Sequence, residues 1–132
     1  MIGISFAWTA DALLAGRKTC TCRDWTDGYA KRFRAGDLVA AYDRSPRFRG
    51  TQIATIRLTH NATHGVLPEI VPDWYEREGF AYYDEQLDEG NTKAIQALAR
   101  AFGLRPGETL MQRMVERGIW GKWIVRFEVV EP

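Results

Sequence analysis

The sequence predicts an α+β fold: a small, mostly antiparallel sheet with flanking helices and a helical insert in the C-terminal half. Three stretches carry that expectation. Residues 52–59 and 120–130 alternate apolar and polar side chains, the period of a half-buried strand. Residues 91–102 instead bring Ile95, Leu98, Ala99 and Phe102 to helical spacing, and Leu110, Met114 and Val115 repeat that spacing after Pro106-Gly107. The helical insert is therefore placed at about residues 91–118, and the last alternating run, with Trp123, Val125, Phe127 and Val129 on one side, closes the sheet.

The remaining elements follow in chain order. Residues 2–7 read as a first strand, and Thr9 stands where it would cap a short helix that ends at Gly16. Residues 18–23 alternate again, with Thr19, Thr21 and Arg23 on one face and Lys18, Cys20 and Cys22 on the other, so the thiols are expected in the core. Gly36-Asp37 is a turn, residues 38–42 a strand, and Ser45-Pro46 through Gly50 a loop that leads into the strand at 52–59, forming a hairpin. His60 to Gly65 is polar and reads as loop. Pro72-Asp73 opens a helix carrying Trp74, Tyr75 and, near its C-terminal end before Gly79, Glu78.

At 132 residues the chain fits one domain, residues 1–132, and 45% hydrophobic content is enough for a packed core, which excludes a disordered chain. No run approaches the roughly 18 apolar residues of a membrane span, and the first residues have no basic segment ahead of an apolar one, so no membrane association and a cytoplasmic location are expected. Cys20 and Cys22 stand too close on one strand to bridge each other, which fits reduced thiols. Charge is unevenly laid out. Residues 1–60 hold ten Lys or Arg against five acids and residues 61–132 eight against twelve, an asymmetry that suits a phosphate-bearing ligand on the first half and equally suits a solvated surface.

The chemistry-bearing segment is 16–24, Gly-Arg-Lys-Thr-Cys-Thr-Cys-Arg-Asp, which sets an ammonium, hydroxyls, thiols and guanidinium groups at the end of an apolar helix. Thr21 with Lys18 is a nucleophile and base pair in composition: a threonine hydroxyl attacks only when a neighbour takes its proton. Lysine does so only if its amine is desolvated or set beside other cations, for which Arg17 and Arg23 are placed; a plain basic strand edge is the alternative. Geometry adds a demand. On a regular strand positions 18 and 21 face opposite ways, so the pair requires Lys18 to belong to the turn after Gly16, or a bulge. His60 and His64 with the two cysteines make a nominal set of zinc ligands, but the histidines fall in a loop segment and the thiols in the core, so no metal and no cofactor are expected. Arg44, Arg47, Phe48 and Arg49 form a basic hairpin tip with one aromatic ring, suited to phosphates and a stacked base or simply to solvent. Of the aromatic residues Trp74, Tyr75, Phe80, Tyr82 and Tyr83, one or two are expected to line a base pocket and the rest to be core.

Taken together these residues resemble the ASCH domain, a small β-barrel of the PUA-like superfamily associated with RNA, over essentially the whole chain. The stretches that carry the resemblance are Leu13-Leu14-Ala15-Gly16-Arg17-Lys18-Thr19 with Thr21 and Arg23, Gly36-Asp37, the strand Ile53-Ala54-Thr55-Ile56-Arg57-Leu58-Thr59, Glu78-Gly79-Phe80 and Arg126-Phe127-Glu128, in the family's order. The resemblance implies a barrel whose cleft, lined by the first polar segment and the helix carrying Glu78, accepts a nucleoside or RNA. Some small members look like amidohydrolases that deacetylate N4-acetylcytidine with a Thr, a Lys and a Glu. Those map to Thr21 as nucleophile, Lys18 as base and Glu78 as acid, with Arg23 binding substrate. Other members only bind RNA or a modified base, in which case Arg17, Lys18, Arg44, Arg47 and Arg49 would touch phosphates; a third possibility is metal-independent RNA cleavage. The chain departs from the smallest such enzymes in its insert at 91–118 and in its longer stretch between Arg23 and Gly36.

Overall fold

The computed structural model describes residues 1–105, 107–117 and 123–131. Among these, six strands and seven α-helices follow one another as β1 (Gly3–Ser5), α1 (Ala10–Leu14), β2 (Cys20–Arg23), α2 (Asp27–Ala30), β3 (Leu38–Tyr42), β4 (Gln52–Leu58), β5 (Thr63–His64), α3 (Leu67–Ile70), α4 (Trp74–Arg77), α5 (Phe80–Asp88), α6 (Thr92–Phe102), α7 (Leu110–Arg117) and β6 (Trp123–Glu131). This is the α+β class that the alternating and helical stretches predict. No helix among the described residues is long and apolar enough to cross a membrane.

The strands form one sheet in the order β1-β3-β4-β6-β2, with β5 also paired to β6. Every ladder is antiparallel except β1 with β3. β6 is long enough to be shared: its second half pairs with β4 from Phe127 to Glu131, and its first half pairs with β2, where Thr21 stands opposite Val125. The closed barrel that the resemblance implies is not formed among the described residues, because β1 and β2 make no ladder with each other. They are instead bridged by a side chain: Arg23 Nη2 donates to the Ser5 carbonyl at 2.7 Å, and the guanidinium lies 5.5 Å from the centre of the Phe6 ring. The sheet is thus curled until its two edges are within reach of one arginine.

Inside the curl, Phe6, Leu13, Phe33, Ile56, Leu58, Val125 and Phe127 make the main core. A second apolar cluster joins α1 to the helical half of the chain through Ala12, Phe80, Tyr83, Leu98, Phe102, Leu110 and Met114. A third, smaller one packs Cys20 and Ile124 against Leu67 and Val71 of α3 and its exit. Cys20 is fully buried, as the alternation predicts, and burial pushes its thiol well above the ordinary range; Cys22 is only half-buried.

Several boundaries differ from the sequence reading for identifiable reasons. Thr9 stands at the N-cap position of α1 but makes no side-chain capping bond: its hydroxyl donates to the Phe6 carbonyl at 2.7 Å, inside a 3-10 turn over Ala7–Thr9. α7 starts at Leu110, because Thr109 and Gln112 cap it reciprocally, the Thr109 hydroxyl accepting from the Gln112 amide and the Gln112 side chain from the Thr109 amide. The expectation that this helix opens at Pro106 falls on a residue outside those described, as does the start of the last strand at Trp120. The polar stretch 60–65 contains the short β5, and α5 follows Gly79 where no helix was expected.

Gly79 joins α4 to α5 where the chain passes close to Ala12 and Lys18. Its φ of +89° belongs to the left-handed region, and a β-carbon there would stand 2.7 Å from the Ala12 β-carbon and 3.2 Å from that of Lys18. Gly79→Ala combines backbone strain with overpacking and is expected to cost about 2–4 kcal/mol, read as a lower urea midpoint with unchanged slope; a shift below about 0.5 kcal/mol would remove the close approach as an explanation.

Candidate active site

Where α1 ends, the Arg17 and Lys18 amides both donate to the Ala12 carbonyl, at 3.0 and 3.2 Å, and the Thr19 amide donates to the Arg77 carbonyl at 2.7 Å. Lys18 therefore belongs to the connection ahead of β2, which begins at Cys20. The requirement that Lys18 lie outside the regular strand is met, and its side chain is free to run to the same side as Thr21. It is 1% exposed, one of the largest fully buried side chains among the described residues, and its Nζ donates to both the carbonyl and the Oε2 of Glu78, each at 2.9 Å. Glu78, 5% exposed, caps α4 and is held by its own amide bond to the Trp74 carbonyl at 2.7 Å. A buried ammonium is thus matched by a buried carboxylate, without which either would be too costly to keep charged.

Thr21, 4% exposed, sits on β2 with its Oγ1 accepting from Arg23 Nε at 3.3 Å. Burial lowers the Arg23 pKa and the charge of Glu78 opposes that; a guanidinium remains protonated at neutral pH regardless. Lys18, Thr21, Arg23 and Glu78 all line one cavity of about 310 Å³. That is at the lower end of the ~300–1,000 Å³ usual for small-molecule sites. Its polar edge carries two cations against one carboxylate, so an anion or a developing oxyanion is favoured there. No direct hydrogen bond joins Lys18 Nζ to the Thr21 hydroxyl; the ammonium is turned to Glu78.

The opposite wall is apolar. Trp8 is stacked on Phe80 with ring centres 5.7 Å apart and planes 5° from parallel, and meets Phe102 edge-on at 4.7 Å. The Tyr83 hydroxyl donates to the Trp8 carbonyl at 2.5 Å and accepts from the Ala12 amide, tying this wall to α1. Ahead of Trp8, Ala7 takes φ of +50°, a left-handed conformation uncommon for a residue with a β-carbon. Of the five aromatic residues named from sequence, Trp74 and Phe80 line the cavity, while Tyr75, Tyr82 and Tyr83 pack in or against the helical cluster. Trp8, Phe102 and Met114 were not singled out. Trp8 carries no motif, and the other two read as ordinary helix-face residues; the fold brings the insert's α6 and α7 over the cavity, so the insert forms part of its wall.

The other named residues lie elsewhere. Arg17 does not line the cavity: its guanidinium is engaged by Glu76, at 2.6 and 3.0 Å, and by Glu85, at 2.7 and 3.0 Å. Arg44, Arg47, Phe48 and Arg49 stand exposed on the β3–β4 connection and outside the cavity lining, where Ser45 caps a 3-10 turn over Pro46–Phe48. His64 packs its ring against Trp123 at 5.1 Å and His60 lies 2.8 Å from the Thr59 hydroxyl. Among the described residues no three His, Cys, Asp or Glu side chains are grouped to hold a metal ion.

No protein-family model matches the chain, and no curated protein does. Among solved structures, the crystal structure of protein EF3133 from Enterococcus faecalis V583, of family DUF984, is similar over 96% of this chain and 74% of its own length. The identity is 19% and the TM-score 0.48, too low to transfer the role of any residue.

Proposed function

We propose that the cavity is the active site of an amidohydrolase that removes the acyl group from N4-acetylcytidine-type nucleosides, as the ASCH resemblance implies. The observation that carries the reading is a buried lysine and a buried glutamate 2.9 Å apart on the wall of a cavity that also holds a buried threonine hydroxyl and an arginine. When one proton moves across that contact from Lys18 to Glu78, it leaves an amine that can act as base and a carboxylic acid that can protonate a leaving group. Lys18 then accepts the proton of Thr21 as its Oγ1 attacks the acyl carbon, through one water or after substrate draws the two groups together. The oxyanion develops beside Arg23. Collapse breaks the C–N bond, Glu78 gives its proton to the departing N4 amine of cytidine, and the acyl group stays on Thr21. Water then adds to this ester with its proton passing to the Glu78 carboxylate; Lys18 returns a proton to Thr21, and the acid is released.

Arg23→Gln is expected to lower kcat by about 10²–10³-fold, the usual effect of deleting an oxyanion donor, with a smaller change in KM. A change confined to KM would make Arg23 a binding group only. A second reading is favoured by one feature, the two Lys18 hydrogen bonds that both go to Glu78 rather than to Thr21: the cavity would then bind a modified base or RNA without turnover. Incubation with N4-acetylcytidine, following cytidine by chromatography, separates them. Cytidine release supports the hydrolase; a folded sample that binds the nucleoside yet releases none supports the reader. If the protein instead binds RNA with a steep salt dependence, several phosphates are engaged and a nucleoside-sized pocket is not the whole site.

A further inference from the structure

We propose that a second cavity, which shares no lining residue with the first, is a binding site for a phosphate group, with Arg126 as its central ligand. It has a volume of about 420 Å³ and is bounded by Thr19 and Cys20, the end of β4, the middle of β6 and the residues that link α3 to α4. Arg126 stands on β6 opposite Cys20, flanked by Thr59, whose amide donates to the Arg126 carbonyl. Its Nη2 donates to the Thr63 hydroxyl at 3.0 Å, but its Nε is buried with no acceptor, and no described carboxylate pairs with it. Buried donors are nearly always satisfied, and leaving one without an acceptor is destabilising. Here a permanently charged fork borders a cavity and lacks a counter-anion.

The neighbours complete the case. Arg77 reaches the same cavity with Nε held by Asp73 at 2.8 Å and Nη1 donating to the Thr19 hydroxyl at 3.4 Å. His60 and Thr59 border it from the end of β4. Both acids that line it are engaged, Asp73 by Arg77 and Glu128 by Arg57 at 3.4 Å, so the unopposed charge is that of Arg126. Two guanidinium groups, the Thr19 hydroxyl and one donor of the Thr59–His60 pair, whose hydroxyl and ring share a hydrogen bond at 2.8 Å, offer more donors than a carboxylate has oxygens, and suit the three acceptor oxygens of a phosphate monoester. This site is separate from the proposed reaction and does not depend on it.

The test is a titration of the ¹⁵N-labelled protein with inorganic phosphate, and separately with cytidine 5′-monophosphate, at constant ionic strength against chloride, following the arginine Nε resonances. The Arg126 resonance, assigned by its loss in Arg126→Gln, should shift saturably with phosphate and not with chloride. Amide shifts at Thr19 and Thr59 should follow the same curve, and Arg126→Gln should weaken binding by at least about tenfold. Saturation by inorganic phosphate marks a site for the free anion, and saturation by the nucleotide alone marks one for a phosphate carried on a nucleoside. Should Arg126→Gln not fold, the exposed His60→Ala and Thr59→Val should each weaken binding by about two- to fivefold. Absence of a saturable shift with either probe, an equal response to chloride, or affinity unchanged in every folded variant would overturn the site.

Discussion

Thr21→Val should remove cytidine release from N4-acetylcytidine by about 10³-fold or more, because the variant keeps the shape of the side chain and deletes the only hydroxyl that the mechanism uses as nucleophile. Thr21→Ser should retain measurable turnover, since it keeps the attacking oxygen at some cost in rotamer control. The fold should survive. Thr21 is buried among strand neighbours, and its one hydrogen bond, from Arg23 Nε at 3.3 Å, is long, so its loss costs about 1 kcal/mol and a few degrees of melting temperature. Arg23 is still held by the Ser5 carbonyl and the Phe6 ring. Turnover equal to wild type in a folded Thr21→Val sample would eliminate Thr21 as nucleophile, whereas an inactive Thr21→Val that still binds the nucleoside would separate chemistry from recognition.

How much of this was legible before the structure depends on whether the signal was local. The strands β4 and β6 and the helix α6 were plain because alternation and helical spacing are properties of one segment. The short α5 was not, since its burial comes from Ala12, Leu98 and Leu110, residues that only the fold assembles around Phe80 and Tyr83. The same holds at the site. Lys18 and Thr21 lie three positions apart and could be paired from sequence, with an explicit geometric condition. Glu78 came from family resemblance, because 60 residues separate it from Lys18 and no spacing rule links them. Trp8 and Met114 were invisible for that reason too. The basic residues show the opposite failure: a run of positive charge looks like one surface in sequence, but Arg17 is consumed by two glutamates while Arg126, inconspicuous in a strand, is left without an anion.

The largest stability effects should come from splitting the buried pair. Lys18→Met leaves the Glu78 carboxylate buried without its cation, and Glu78→Gln leaves the ammonium with only neutral oxygens, so each is expected to cost about 3–5 kcal/mol by urea unfolding. The half-buried Arg17, whose carboxylate partners are exposed, provides the contrast: Arg17→Ala should cost about 1 kcal/mol, since those partners remain hydrated when it is gone. The informative variant is the double one. Lys18→Met with Glu78→Leu removes both charges together, and an apolar replacement of a buried ion pair is often neutral or even stabilising, so the double variant should be markedly more stable than the sum of the singles. If it is as stable as wild type and releases no cytidine, then the pair contributes nothing to holding the fold that two apolar side chains could not, and its retention on the wall of a cavity beside Thr21 is accounted for by proton transfer. If it is as unstable as the worse single, the pair is a structural clamp between α4 and the start of β2, and the reaction assigned to it must be carried by other groups.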